Sequence, residues 1–285
     1  MKLGKFTIDI LETGSFGLDG GAMFGVVPKN LWATKYAQPD AQNRIPMNSR
    51  SLLIRFDKKI ILVDTGNGNK FSEKMRDIYG IDTSISSLET SLQLHSVAPS
   101  EVTDVLLTHL HFDHAGGATS YDGNLLVPTF DKATYYVNKE QLDWALQPVL
   151  KDQASFIKDN FAPLLEHGLL QTLTTETPFE GIGFEILHGH TRALQGYKIV
   201  TSEGILFFPS DLCPTAAHIP LPYGMGYDNF PLSTIEEKKR LWKQAVEEEW
   251  IVVFQHDAFI PAGKIGLNDK GYYLREQISF DERTK

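Results

Sequence analysis

Within six residues, His109-Leu110-His111-Phe112-Asp113-His114, this chain places four side chains able to ligate a metal ion. The hexad closes VTDVLLTH, an apolar run of strand length, so the ligands stand where a strand opens into a turn. Such a turn can aim His109 and His111 at one ion while Asp113 and His114 reach a second, with Gly116 and Gly117 relieving crowding as the chain leaves. The bland alternative is a solvated, histidine-rich turn. Three more ligand-type residues downstream weigh against it.

Those three are His190 after FEILHG, Asp211 after GILFFPS and His256 after IVVFQ, each just beyond a strand-like run. A carboxylate has two oxygens, so Asp211 can serve two cations at once. The set therefore predicts a pair of divalent ions sharing Asp211 and a hydroxide, whose pKa falls toward ~7 between them and which serves as a nucleophile. Asp211 and Asp113 are the expected catalytic carboxylates, Asp211 orienting the hydroxide and carrying its proton to the leaving group. Competing readings stay open: His188 could replace His190 by strand alternation, Asp211 could cap a helix, and His256 could be a satisfied core histidine. His218, in PTAAHIP, is near enough in sequence to Asp211 to stand behind the ligands, and Cys213 reads as a small buried residue. Imidazole and carboxylate ligands suit Zn²⁺, Mn²⁺, Fe²⁺ or Co²⁺, with zinc the default expectation.

The whole pattern resembles the metallo-β-lactamase superfamily, in which H-x-H-x-D-H is followed by a lone His, a lone Asp and a lone His in that order. All seven positions match, and the likeness runs from LVDTG at 62–66 through QHD at 255–257. The resemblance implies a four-layer αββα sandwich of the α/β class with the site at one edge. It also implies His109, His111 and His190 on one ion, Asp113, His114 and His256 on the other, and Asp211 between them. Asp64, in the family's D-T-G turn, is then expected to hold the ligand loops by hydrogen bonds. One departure is His190-Thr191-Arg192-Ala193-Leu194 where the family often has H-T-P-G-H, which puts Arg192 in a position to face a substrate.

GGAMFGVVPKNLW at 20–32 and SDLCPTAAHIP at 210–220 resemble the branch holding quorum-quenching lactonases and methyl parathion hydrolase-like enzymes. That likeness implies a hydrolase acting on a lactone or ester. The alternatives are a phosphotriester or phosphodiester hydrolase, and a metal-binding sensor module without catalysis. Phe24, Val26, Val27 and Trp32 are expected either to form an apolar wall over the metals, suited to an acyl chain or aromatic leaving group, or to pack in the core, and Arg192 and Tyr223 are the other expected pocket residues beside Phe24 and Trp32. Tyr223 or Tyr227 would stand in for a tyrosine that lactonases often carry three residues after the bridging Asp, where this chain has Pro214.

The elements that must position these groups are legible as periodic runs. KFTIDILE reads as a strand, and SLLIRF and KIILVDTG as a hairpin around Asp57-Lys58-Lys59. Residues 13–48 read as a long functional loop. Helical stretches are predicted near 70–79, 85–93 and 139–165, and further strands at YYVN, FEILHG, GYKIVT and GILFFPSD. A helix is predicted to begin after Pro231, where Ser233-Thr234-Ile235-Glu236 reads as a capping box, and to deliver the chain into IVVFQHD. Strands mixed with helices in two blocks predict a layered α/β protein, expected to form one domain over residues 1–285.

Composition narrows the partners. A net charge of −9 and the lack of a basic run make nucleic acid a poor substrate and leave a small molecule. The charged fraction of 22% and hydrophobic fraction of 42% are those of a globular protein without a membrane span. The first residues are unlike a signal peptide and the single cysteine cannot form an internal disulfide, so a cytoplasmic location is expected. The apolar N-terminal segment makes a homodimer the expected assembly, if there is one.

Overall fold

The computed structural model describes residues 1–280. They divide into two compact units. One comprises Met1–Phe16 and Asn48–Thr175, and the other comprises Gly17–Met47 and residues 176–280.

The first unit is organised by a sheet whose strands follow the order Lys2–Leu3, Phe6–Asp19, Arg44–Phe56, Lys59–Val63, Asp104–Leu106, Thr134–Asn138 and Leu170–Leu173. Arg44–Phe56 and Lys59–Val63 form the expected hairpin, pairing Phe56 with Lys59. From Lys59–Val63 onward the four strands are parallel. The inner ones are nearly all apolar, as strands covered on both faces must be. Leu53, Leu62, Val105, Leu107, Tyr135 and Val137 are fully buried in one core with Phe130, Phe161 and Leu164. Parallel pairing of Val63 with Leu106 brings both strands to their C-terminal ends at the same edge. Asp64 and the hexad leave from that edge.

The second unit holds a sheet in simple sequence order: Ile182–Leu187, Leu194–Thr201, Gly204–Phe208, Ile251–Val253, Ala262–Asn268 and Gly271–Ile278. Gly204–Phe208 and Ile251–Val253 are parallel, joined through the helix Pro231–Glu247. This helix buries Thr234, Lys238, Leu241, Trp242 and Ala245, the three-and-four spacing of one helical face. Leu241, Trp242 and Ala245 pack with Phe207, Trp250, Val252 and Ile265. Two antiparallel pairings separate Ile182–Leu187 from Gly204–Phe208, so these two strands run in the same direction. His190, Asp211 and His256 therefore all emerge at one end of this sheet.

Two expectations need correction. Residues 13–48 do not form one long loop: the flanking strands reach Asp19 and start again at Arg44, and the short helices Gly20–Phe24 and Lys29–Lys35 lie between them. Turn-forming residues masked alternation that continues to Gly17, with buried and part-exposed positions taking turns. The long helix begins at Pro231, not at a Ser233 cap, because proline fits the first helical position. Thr234 is consequently inside the helix, and its hydroxyl bonds to Asp228. Among the described residues no helix is long and apolar enough to cross a membrane.

Candidate metal centre

In the first unit the chain passes from strand to hexad through Leu107 and Thr108, and the rings of His109, His111 and His114 gather at once. The centroids of His109 and His114 are 3.9 Å apart, and those of His109 and His111 are 4.5 Å apart. Asp113 lies on the single-turn helix Phe112–Ala115, its Oδ1 3.7 Å from Nε2 of His114. All four ligand candidates are buried.

Asp64 organises this cluster from behind. Its Oδ1 accepts from the Thr108 backbone N–H at 2.7 Å, and its Oδ2 accepts from the Thr108 hydroxyl at 2.8 Å. The same Oδ2 is 3.0 Å from Nδ1 of His114. Thr108 Oγ1 in turn meets Nδ1 of His109 at 3.1 Å. Two imidazoles are thus held by their Nδ1 atoms, so Nε2 is the atom that each could offer to an ion. Asp64 has φ of 59°, a left-handed conformation rare outside glycine, imposed by the turn that delivers its carboxylate.

The exit from the hexad is pinned as tightly. The Thr65 N–H and hydroxyl both donate to the His114 carbonyl, at 2.7 and 2.9 Å. A Cβ on Gly116 or Gly117 would collide with the carbonyls of Asn67 or Thr65, so only glycine fits there. The half-buried Lys70 ammonium donates to the carbonyls of Gly116 and Thr119, and desolvation pulls its pKa down to about 8. Near His111, the buried Asp152 carboxylate takes the Trp144 indole N–H at 2.9 Å and lies 4.0 Å from Nε2. Beside Asp113, Tyr79 and Phe71 lean on Phe112 with centroids 4.9 and 5.5 Å away. Burial and the Asp113 charge both raise the Tyr79 pKa.

In the second unit Asp211 stands between two histidines. Its Oδ2 is 3.2 Å from Nε2 of His190 and its Oδ1 is 3.1 Å from Nε2 of His256. His188 turns elsewhere, its Nδ1 accepting the Ala193 N–H at 3.2 Å. The other nitrogen of His190, Nδ1, is 3.1 Å from Oδ1 of Asp228. Backbone strain borders the ligands here too, with Ala193 and Ser210 at φ of 55° and 52°. Asp257, next to His256, accepts from the N–H groups of Ala216, Phe259 and Ile260, tying the turn after Asp211 to the turn after His256.

These donors fit a cation. With His190 donating from Nδ1 to Asp228, its Nε2 carries a lone pair that faces a carboxylate oxygen at close range. Two electron-rich atoms repel in that arrangement unless a positive charge lies against both. Buried nitrogen and oxygen donors of this kind suit a divalent ion of the zinc type.

The remaining expected residues fall as follows. His218 is buried, its Nε2 donating to the Met23 carbonyl at 2.8 Å and its Nδ1 accepting from the Thr215 hydroxyl at 2.7 Å. Burial pushes its pKa down to about 4. Phe24 and Trp32 are not at an entrance: both are fully buried, Phe24 stacking on His218 at 4.4 Å and on Trp32 at 5.5 Å. The apolar wall expected of them is core packing within this unit. Tyr223 is half-buried with the Lys35 ammonium 4.7 Å from its ring centre, and Arg192 is exposed on the turn after His190. Cys213 is buried, and burial raises its pKa to about 12.

The sequence reading missed Asp228, Asp152, Lys70 and Glu237. Each is an ordinary charged residue in sequence, and only its packing against a loop that carries candidate ligands distinguishes it.

A model of the metallo-beta-lactamase superfamily matches residues 44–256. No curated protein matches the sequence. Among solved structures, a probable metal-dependent hydrolase from Staphylococcus aureus is 28% identical, with a TM-score of 0.86 over 98% of this chain and 100% of its own. The hydrolase AbOPH is 22% identical, with a TM-score of 0.82 over 99% and 97%. AidC, a dizinc quorum-quenching lactonase bound to a homoserine product, is 20% identical, with a TM-score of 0.81 over 99% and 97%.

Proposed function

The chain belongs to the metallo-beta-lactamase superfamily and is a metal-dependent hydrolase, and on that premise we propose that it cleaves lactones or esters at a centre of two divalent ions. His109, His111 and His190 would hold one ion, Asp113, His114 and His256 the other, and Asp211 both. Two such ions would supply a hydroxide near neutral pH and polarise the substrate carbonyl. The observation that carries this reading is the two-sided carboxylate of Asp211, each oxygen close to a different histidine Nε2.

The chain's own residues have defined tasks in this scheme. Asp64 and Thr108 hold His109 and His114 by their outer nitrogens. Asp211 would orient the attacking water and pass its proton to the leaving alkoxide. Phe71 and Tyr79, half-buried on Phe112 beside Asp113, offer an aromatic surface suited to an uncharged acyl chain. The net charge of −9 disfavours polyanionic substrates. The shared fold of AidC supports testing a homoserine lactone first.

The test combines metal analysis with kcat/KM for a long-chain homoserine lactone, an aryl ester, an aryl phosphotriester and a penicillin at equal metal loading. The lactone or aryl ester should lead, and Asp211→Ala should lose bound metal and turnover together. Preference for penicillin would overturn the substrate class, and a leading phosphotriester would replace it. Full turnover in Asp211→Ala would place the shared ligand elsewhere.

A further inference from the structure

We propose that Asp228, set by Thr234 of the long helix, is the positioning residue that decides which histidine of His188-Gly189-His190 serves the metal, and through which nitrogen. The inference rests on reading His190 as a ligand. Asp228 is 38 residues from His190 in sequence and is itself buried. Its Oδ1 is 3.1 Å from His190 Nδ1. Its Oδ2 accepts from the Thr234 hydroxyl at 3.1 Å and the Met225 N–H at 3.2 Å, so the carboxylate cannot swing away.

The two residues after Asp228 secure the same loop. The Asn229 backbone N–H and side-chain amide both donate to the His190 carbonyl, at 2.9 and 3.0 Å, and the Phe230 N–H donates to the Gly189 carbonyl at 2.8 Å. From the next turn of the helix, Glu237 accepts the N–H groups of His188 and Gly189 at 2.6 and 3.2 Å. Gly189 has to be glycine, since a Cβ would run into the Thr234 hydroxyl and backbone. The backbone is therefore fixed on one side and the ring on the other.

A carboxylate accepting from Nδ1–H fixes the imidazole tautomer, keeps the Nε2 lone pair directed at the ion and raises its basicity. On His188 it is the Ala193 N–H that uses Nδ1. Strand alternation alone would let either histidine serve.

The experiment titrates zinc-loaded protein with a chromophoric chelator, comparing wild type with His190→Ala, Asp228→Ala, Thr234→Val and Thr234→Ser. Asp228→Ala should weaken zinc binding about 10- to 100-fold, the usual effect of removing such a partner. Thr234→Val should weaken it several-fold and Thr234→Ser should restore it. In ¹⁵N-histidine spectra of the loaded protein, His190 should show a slowly exchanging Nδ1–H that disappears in Asp228→Ala. Unchanged zinc affinity in both Asp228→Ala and Thr234→Val, with His190→Ala impaired, would overturn the proposal. If His190→Ala itself binds zinc as wild type does, the ligand reading fails instead. Should Asp228→Ala not fold, the Thr234 pair and the Nδ1–H signal decide alone.

Discussion

Oδ2 of Asp64 lies 3.0 Å from Nδ1 of His114, both side chains wholly buried and 50 residues apart in sequence. The same carboxylate takes both donors of Thr108. Asp64→Ala would strand three buried polar groups, each costing ~1–3 kcal/mol. Urea denaturation should show a loss of roughly 3 kcal/mol or more. Zinc binding should weaken along with it. A loss below about 1 kcal/mol would mean that Thr108 and His114 find other partners.

His218 should make folding sensitive to mild acid. Its pKa is about 4 in the folded protein against an ordinary 6.5, because burial penalises the charged ring. Between those values the unfolded chain binds a proton that the folded one refuses, so stability falls as pH drops from 6.5 toward 4. The contribution is of order 3 kcal/mol, at about 1.4 kcal/mol per unit. His218→Gln should be flatter across this window in chemical denaturation, and an identical slope would assign the acid sensitivity to other groups.

Gly189→Ala tests how closely the long helix approaches the His190 turn. The added methyl meets the Thr234 backbone, which has no room to withdraw. Stability should drop by ~1–3 kcal/mol, as in other overpacked sites, and zinc affinity should drop too because His190 is displaced. Wild-type zinc binding in a destabilised variant would separate the helix contact from the ligand.

Trp32→Ala should act on folding and not on substrate selection. The indole is 1% exposed and stacked on Phe24. Removing it should cost ~3–5 kcal/mol. Val26, six residues earlier and 93% exposed, should tolerate serine with a change within about 0.5 kcal/mol. A raised KM without a lower Tm in Trp32→Ala would return this residue to the substrate entrance.

The sequence by itself determined the family and the candidate residues of the metal centre, because a candidate ligand such as His109, Asp211 or His256 announces itself locally. It is a metal-binding residue type placed where an apolar run ends, and strand ends can be read from a few neighbouring residues. The hairpin around Asp57 and the strand leading to the hexad were legible for the same reason, whereas its parallel pairing was not. Tertiary structure alone decided the supporting layer. His190 and His188 are equivalent under strand alternation, and a carboxylate 38 residues away distinguishes them. Phe24 and Trp32 carry the composition of a pocket wall, yet the ring of His218, nearly two hundred residues on, covers Phe24. Asp152, Lys70 and Glu237 look like surface charges until the fold buries the first and half-buries the other two against loop backbone. Hydrogen bonding and burial act between groups that the chain brings together from a distance, so no local pattern records them.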